Sequence, residues 1–353
     1  MNKEKQPGRL TALDYLRGYF ILVIIIDHLY RWPSLLALIT GQGSLWFNAA
    51  DGFVIVSGLM IGYIRGYKGL KLPLKVITEK LWKRAALLYL WLIIGTLAYT
   101  GFTWLMPTVA LLPHVPIAAG DWTTLVWQTI TMQFSYVWVN FLYLYAIFLA
   151  ITPAAIWLLR QRLAWLLAVI SIAGFLIGDV AQIKWLQWQP LFFLPAVAGF
   201  YLEPIRTWWL EHARRRRIAT IAIGLLTVVL LTSSILVKFA LPATEMNTAI
   251  NDYFSKDHLQ LGAIGVSLFI FCGFVLLFNK IEPFLQRRFD WLLMPFGTHS
   301  LTTYIIHGVF ILLITYTIPA SPSIAINTLL GVIAILGTLL LLKLPWVRRY
   351  IPR

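Results

Sequence analysis

Apolar stretches long enough to cross a membrane recur from one end of this chain to the other and leave little length for anything else. A hydrocarbon core about 30 Å thick takes roughly 17–25 helical residues. Such stretches fall near residues 12–31, 44–64, 81–101, 137–158, 162–179, 185–202, 217–239, 259–279, 297–316 and 325–343. Hydrophobic residues make up 59% of the chain and charged ones 12%, against roughly 45–50% and about 25% in soluble proteins. The expected fold class is therefore an all-α polytopic membrane protein of about ten transmembrane helices, a single integral membrane domain over residues 1–353. The first stretch carries Asp14 and Arg17 at its start and no small-residue cleavage signal after it, so it is expected to be a retained helix and not a signal peptide.

Lysine and arginine set the orientation. With the N-terminus cytoplasmic, every basic residue except Arg31, Lys184, Lys238 and Lys256 falls on the inner side, and the C-terminus is cytoplasmic too. The net charge of +15 then follows from this bias and from attraction to anionic lipid, and no nucleic-acid partner is expected. The Arg214–Arg217 run reads as a topology anchor. Two outer segments are long, about 102–136 with Pro107, Pro113 and Pro116, and about 240–258 with Glu245, Asp252, Asp257 and His258. The acidic residues around His258 lack metal-ligand spacing and read as a solvated loop, so no metal is expected. Cys272, the single cysteine, lies in an apolar stretch; it allows no intramolecular disulfide and is expected to be buried packing. No internal repeat is found.

The first helix is too polar for a simple anchor. Between Arg17 and Asp27 the apolar run is only Gly18 to Ile26, so Asp14, Arg17, Asp27 and His28 are carried within the helix or at its margins. A charge at the membrane centre costs about 2.5–3.5 kcal/mol on insertion scales and normally turns toward the bundle interior. Arg17 and His28, eleven residues apart, share one face of a helix at depths about 16 Å apart. Asp14 lies on nearly the same stripe and is placed to pair with Arg17. The second span brings Asp51 at its outer end and then Ser57, Gly58 and Gly62, small residues that allow close helix contact. Near the C-terminus, Ser300, Tyr304 and His307 share a face through three- and four-residue steps.

Four separated pieces of the chain resemble the acyltransferase-3 superfamily and, within it, the OpgC branch, whose namesake succinylates osmoregulated periplasmic glucans. Leu13-Asp-Tyr-Leu-Arg-Gly18 with His28 is similar to the arginine and histidine motif of the family's first helix. Phe53-Val-Ile-Val-Ser-Gly58 resembles an element of the second, with Asp51 where the branch usually has glutamate. Lys83-Arg84-Ala-Ala-Leu-Leu-Tyr89 resembles the basic start of the third, although Lys80, Lys83 and Arg84 replace a pair of arginines. Gly297-Thr-His-Ser-Leu-Thr-Thr-Tyr-Ile-Ile-His307 resembles the element near the C-terminus, with His299 where asparagine is common.

The resemblance implies a multi-pass enzyme of the bacterial cytoplasmic (inner) membrane that transfers an acyl group from cytoplasmic acetyl-CoA or succinyl-CoA to a hydroxyl of an extracytoplasmic glycan or glycolipid. On that reading Arg17, Lys83 and Arg84 hold the CoA phosphates, to which guanidinium and ammonium groups are suited. His28 is either the general base for the acceptor hydroxyl or a nucleophile passing through an acyl-histidine. Asp27, Asp51 or His307 orients the imidazole or the acceptor, and Asp14, Ser57, Ser300 and Tyr304 support the site. A transporter or flippase for a glycan or lipid precursor is the rival reading, because polar residues inside helices also mark substrate pathways. A noncatalytic assembly partner, for which neither Arg17 nor His28 matters, is the third.

Overall fold

The computed structural model describes residues 10–43, 45–106, 112–240, 244–255 and 259–351, which form helices and, among the described residues, no strand. Eleven helices carry the architecture: α1 (Thr11–Leu29), α2 (Ala49–Ile61), α3 (Leu74–Leu105), α4 (Phe141–Arg160), α5 (Ala164–Ala181), α6 (Pro190–Phe200), α7 (Ala213–Ile235), α8 (Leu261–Arg288), α9 (Asp290–Thr298), α10 (Ser300–Thr317) and α11 (Ile324–Lys343). Each of the apolar stretches read from the sequence overlaps one of them. Lys3, Lys5, Arg9, Pro107, Lys256, Asp257, His258 and Arg353 lie outside the described residues.

Among the described residues eight helices are long and apolar enough to cross a membrane: α2 extended to Lys71, α3, α4, α5, α7 extended to Ala240, α8, α10 and α11. The other two expected spans differ for separate physical reasons. In α1 three charged residues, Asp14, Arg17 and Asp27, fall within 19. The 185–202 stretch is divided into a five-residue helix, Lys184–Trp188, and the 11-residue α6. Pro190 starts α6 and has no N–H with which to continue the preceding helix.

The polar helix sits inside the bundle. α1 packs against α2, α8, α9, α10 and α11, so its charged groups face protein instead of lipid, which is what makes them tolerable. Its closest neighbour is α9, and glycine is the reason. A Cβ on Gly18 would lie 2.1 Å from the Leu293 carbonyl oxygen, and one on Gly297 would lie 1.8 Å from that of Asp14. The same device joins α2 to α6. Gly58 and Gly62, one helical turn apart, meet the carbonyls of Phe192 and Ala196, while Gly199 meets Leu59. The expectation of close packing holds for both glycines. Ser57 beside them is buried, and its hydroxyl has no hydrogen-bond partner among the described residues.

Two expectations are corrected. Cys272 is exposed on α8 and not buried, because the bundle interior and the lipid face are both apolar and hydropathy cannot tell them apart. The long outer segments are not only loops. Trp122–Ile130 is a helix capped by Asp121, whose carboxylate accepts from the Thr124 N–H at 3.0 Å, and Glu245–Tyr253 is a helix capped by Thr244.

Candidate functional site

α1 and α10 run parallel, and the polar residues of both helices meet along their seam. At the N-terminal end of the seam, Arg17 Nη2 donates to Ser300 Oγ at 2.8 Å. Nearby, Tyr15 Oη donates to Asp290 Oδ1 at 2.8 Å, fixing the start of α9 against α1. Asp14 and Arg84 both lie within electrostatic reach of Arg17, and Arg84 is in turn within reach of Arg65. The Nε–H groups of Arg17 and Arg84 are buried and have no hydrogen-bond partner among the described residues. Lys83, one residue earlier on α3, is exposed. Clustered guanidinium groups repel one another, and buried donors without acceptors are costly; both are relieved by an anion with several oxygens.

At the other end of the seam, His28 Nδ1 and His307 Nε2 lie 2.7 Å apart. His307 is fully buried, and its Nδ1 contacts the Tyr304 carbonyl oxygen at 2.5 Å. That contact fixes the tautomers. A carbonyl can only accept, so His307 Nδ1 bears the hydrogen and, in the neutral ring, Nε2 is a lone pair. His28 Nδ1 must then donate to it, which leaves the lone pair of His28 on Nε2. Tyr304 also holds α10 to the start of α4, its hydroxyl accepting from the Phe141 N–H at 3.3 Å, and its ring packs edge-on to His28.

The two carboxylates expected near His28 are placed differently. Consecutive helical residues point about 100° apart, and Asp27 makes no hydrogen bond to either imidazole among the described residues; its Oδ1 is buried without a hydrogen-bond partner. Asp51 is buried in the first turn of α2. Its Oδ2 accepts from the Asn48 N–H at 3.2 Å and from Ser267 Oγ at 3.1 Å, while Asn48 Oδ1 accepts from the Asp51 N–H at 3.1 Å. This reciprocal cap starts α2 and ties it to α8. Of the three residues expected to orient His28, His307 is the one hydrogen-bonded to it among the described residues.

Beside His28 lies an open cavity of about 250 Å³, lined by α1, the N-terminal ends of α2 and α4, the Lys184–Trp188 helix and Tyr304 of α10. Its polar wall includes Asn48, Asn140, Tyr143, Lys184 and Trp188. None of these is marked by local sequence, because they converge from separate helix starts. Arg31 is a further residue that sequence reasoning assigned only to the outer surface. It is 3% exposed and donates from Nη1 to the Pro319 carbonyl at 2.6 Å and from Nη2 to those of Ile314 at 3.3 Å and Ile318. Tyr30, at φ 51° in the left-handed region, ends α1 and turns Arg31 onto the C-terminus of α10, where a cation complements the helix dipole. Arg31 thus clamps together the two helices that carry His28 and His307.

The family model described as OpgC protein matches residues 9–349 of the chain. No curated protein and no solved structure matches it.

Proposed function

From membership of the OpgC protein family, to which this chain belongs, we propose that it is a membrane-bound O-acyltransferase of the bacterial inner membrane. It moves an acetyl or succinyl group from cytoplasmic acyl-CoA to a hydroxyl of a glycan or glycolipid on the outer side. The chain of contacts from His28 through His307 to the Tyr304 carbonyl is the observation that carries this reading.

The layout supports ten spans with both ends inside. Arg17 meets Ser300, His28 meets His307 and Arg31 meets the end of α10, so α1 and α10 point the same way. Two helices crossing in the same direction need an odd number of crossings between them. Six of the eight long apolar helices lie between α1 and α10. The seventh crossing, on this reading, is α6 together with the Lys184–Trp188 helix, and the packing of α6 against α2 and α5 supports it. With α1, α10 and α11 the count is ten.

The chemistry follows from the two ends of the α1 seam. Arg17, Arg84 and Arg65, with Lys83 beside them, hold the phosphates of CoA at the inner mouth, and the acyl thioester reaches toward His28. An acceptor hydroxyl in the cavity gives its proton to His28 Nε2 as its oxygen bonds to the thioester carbonyl carbon. The carbon–sulfur bond breaks, and the proton passes from His28 to the departing CoA thiolate. While His28 is an imidazolium its Nδ1–H remains bonded to the lone pair of His307, which the Tyr304 carbonyl dipole backs. This is the role that an orienting partner plays behind a catalytic histidine.

The test is release of free CoA from acetyl-CoA and succinyl-CoA by purified protein in detergent, with a periplasmic glycan fraction as acceptor. His28→Ala is expected to lower turnover by about 10²–10⁴-fold, the usual worth of a positioned base. Arg17→Ala is expected chiefly to raise KM for the donor. Normal turnover by folded His28→Ala overturns the assignment, and movement of a glycan precursor across liposomes without CoA favours a transporter.

A further inference from the structure

The cavity beside His28 has one wall whose chemistry the transfer reaction does not use. Lys184 and Trp188 are four residues apart on one short helix, which places them on the same face, and both line the cavity. Trp188 is 4% exposed, yet its indole Nε1–H is buried and has no hydrogen-bond partner among the described residues. Leaving such a donor unsatisfied is costly unless a ligand accepts from it. Lys184 is exposed, the cavity lining includes no carboxylate, and on the reading above this cation stands on the side of the membrane where basic residues are scarce.

We infer that Lys184 and Trp188 form a subsite for a carboxylate carried by a substrate, the ammonium supplying the charge and the indole N–H a second donor. One cation matches one monoanion, whereas a phosphomonoester dianion would be left half neutralised. Asn48 and Asn140 supply neutral amides on other parts of the wall and suit sugar hydroxyls. The inference rests on the proposed acyl transfer, and it narrows that reaction to a pair of substrates of which at least one is an acid. The carboxylate has two possible bearers, the free end of a dicarboxylic acyl group or an acidic sugar of the acceptor.

The test uses Lys184→Met, Lys184→Arg and Trp188→Phe in the full chain. CoA release is measured for acetyl-CoA and succinyl-CoA, each with a neutral glucan and with a uronate-containing glycan. The expected result in Lys184→Met is a fall of at least about tenfold in the ratio of kcat/KM for the carboxylate-bearing substrate over its neutral counterpart, as befits a lost charged hydrogen bond. Lys184→Arg restores the ratio and Trp188→Phe lowers it by a smaller factor. A change that follows the donor assigns the carboxylate to the acyl group, and one that follows the acceptor assigns it to the glycan. Equal losses on all four combinations, or no change in either ratio, overturn the subsite.

A second measurement needs no turnover and keeps failure of the subsite separate from failure of the acyltransferase reading. Succinate and glucuronate are each titrated into wild type and Lys184→Met while thermal unfolding is followed in detergent. At least one of the two is expected to stabilise wild type and not the variant. Identical curves for the two proteins with both acids refute the proposal whatever the enzyme transfers.

Discussion

Gly297→Ala is the smallest change that tests how the site is held. A methyl carbon at residue 297 would lie 1.8 Å from the Asp14 carbonyl oxygen, against 3.4 Å for ordinary contact, so α9 must retreat from α1 by about 1.6 Å. The obstacle is backbone and cannot swing aside. Overpacking of this kind costs typically about 1–3 kcal/mol, and a backbone obstacle puts the cost at the upper end. Ser300 follows Gly297 by three residues, and its 2.8 Å hydrogen bond to Arg17 is broken by a retreat of that size. The variant is expected to unfold up to about 4 °C below wild type in detergent and to show a several-fold higher KM for acyl-CoA. Gly224→Ala is the control, because nothing lies within 4 Å of its Cβ position; there the added methyl is neutral or gains up to about 1 kcal/mol of helix propensity. If Gly297→Ala melts and binds donor as Gly224→Ala does, the glycine contact does not set the position of Arg17.

Three further outcomes follow from single contacts. Arg31→Ala leaves the α10 carbonyls without their cation and should cost about 1.5–3 kcal/mol, the range for hydrogen bonds to a charged group; Arg31→Lys should recover part of that loss in a thermal melt and in turnover. Ser267→Ala removes a donor from the buried Asp51 carboxylate and should destabilise by about 1–3 kcal/mol, whereas a wild-type melting curve would mean that the Asn48 cap suffices. Ser300→Ala frees the Arg17 guanidinium from its 2.8 Å partner, so donor KM is expected to rise about threefold to tenfold with little change in stability; an unchanged KM would separate Arg17 from donor binding.

What could be read in advance was the cost of polarity in lipid. Arg17 and His28 stand out because a helix carrying them must bury them against protein, and the spacing of Ser300, Tyr304 and His307 marked a second face able to receive them. The pairing itself depends on which helices meet, and here sequence distance misleads. Asp27 adjoins His28 in the chain but points elsewhere, while His307 lies 279 residues away and makes the hydrogen bond. Arg31 read as an outer cation because its acceptors are main-chain carbonyls, which carry no sequence signature. Arg65 reads only as a topology residue, because its proximity to Arg84 arises from the packing of the α2 extension and α3 and has no local signature. Asn48, Asn140, Lys184 and Trp188 surround the cavity from three helix starts, a convergence that no local pattern encodes.

The long sequence separations also bear on assembly. α1 precedes α10 by about 270 residues, yet Arg17 has its hydrogen-bond partner on α10, His28 has its partner there too, and Arg31 donates to the end of the same helix. Until α9 and α10 arrive, α1 carries charges and a histidine with no partners from those helices, and lipid offers none. The glycine contacts of Gly18 and Gly297 permit the approach that ends this interval. Closure of α9 and α10 on α1 therefore accomplishes two things together: on the proposed ten-span layout it removes the penalty of a polar helix in a membrane, and it completes the His28–His307 pair on which the proposed transfer depends.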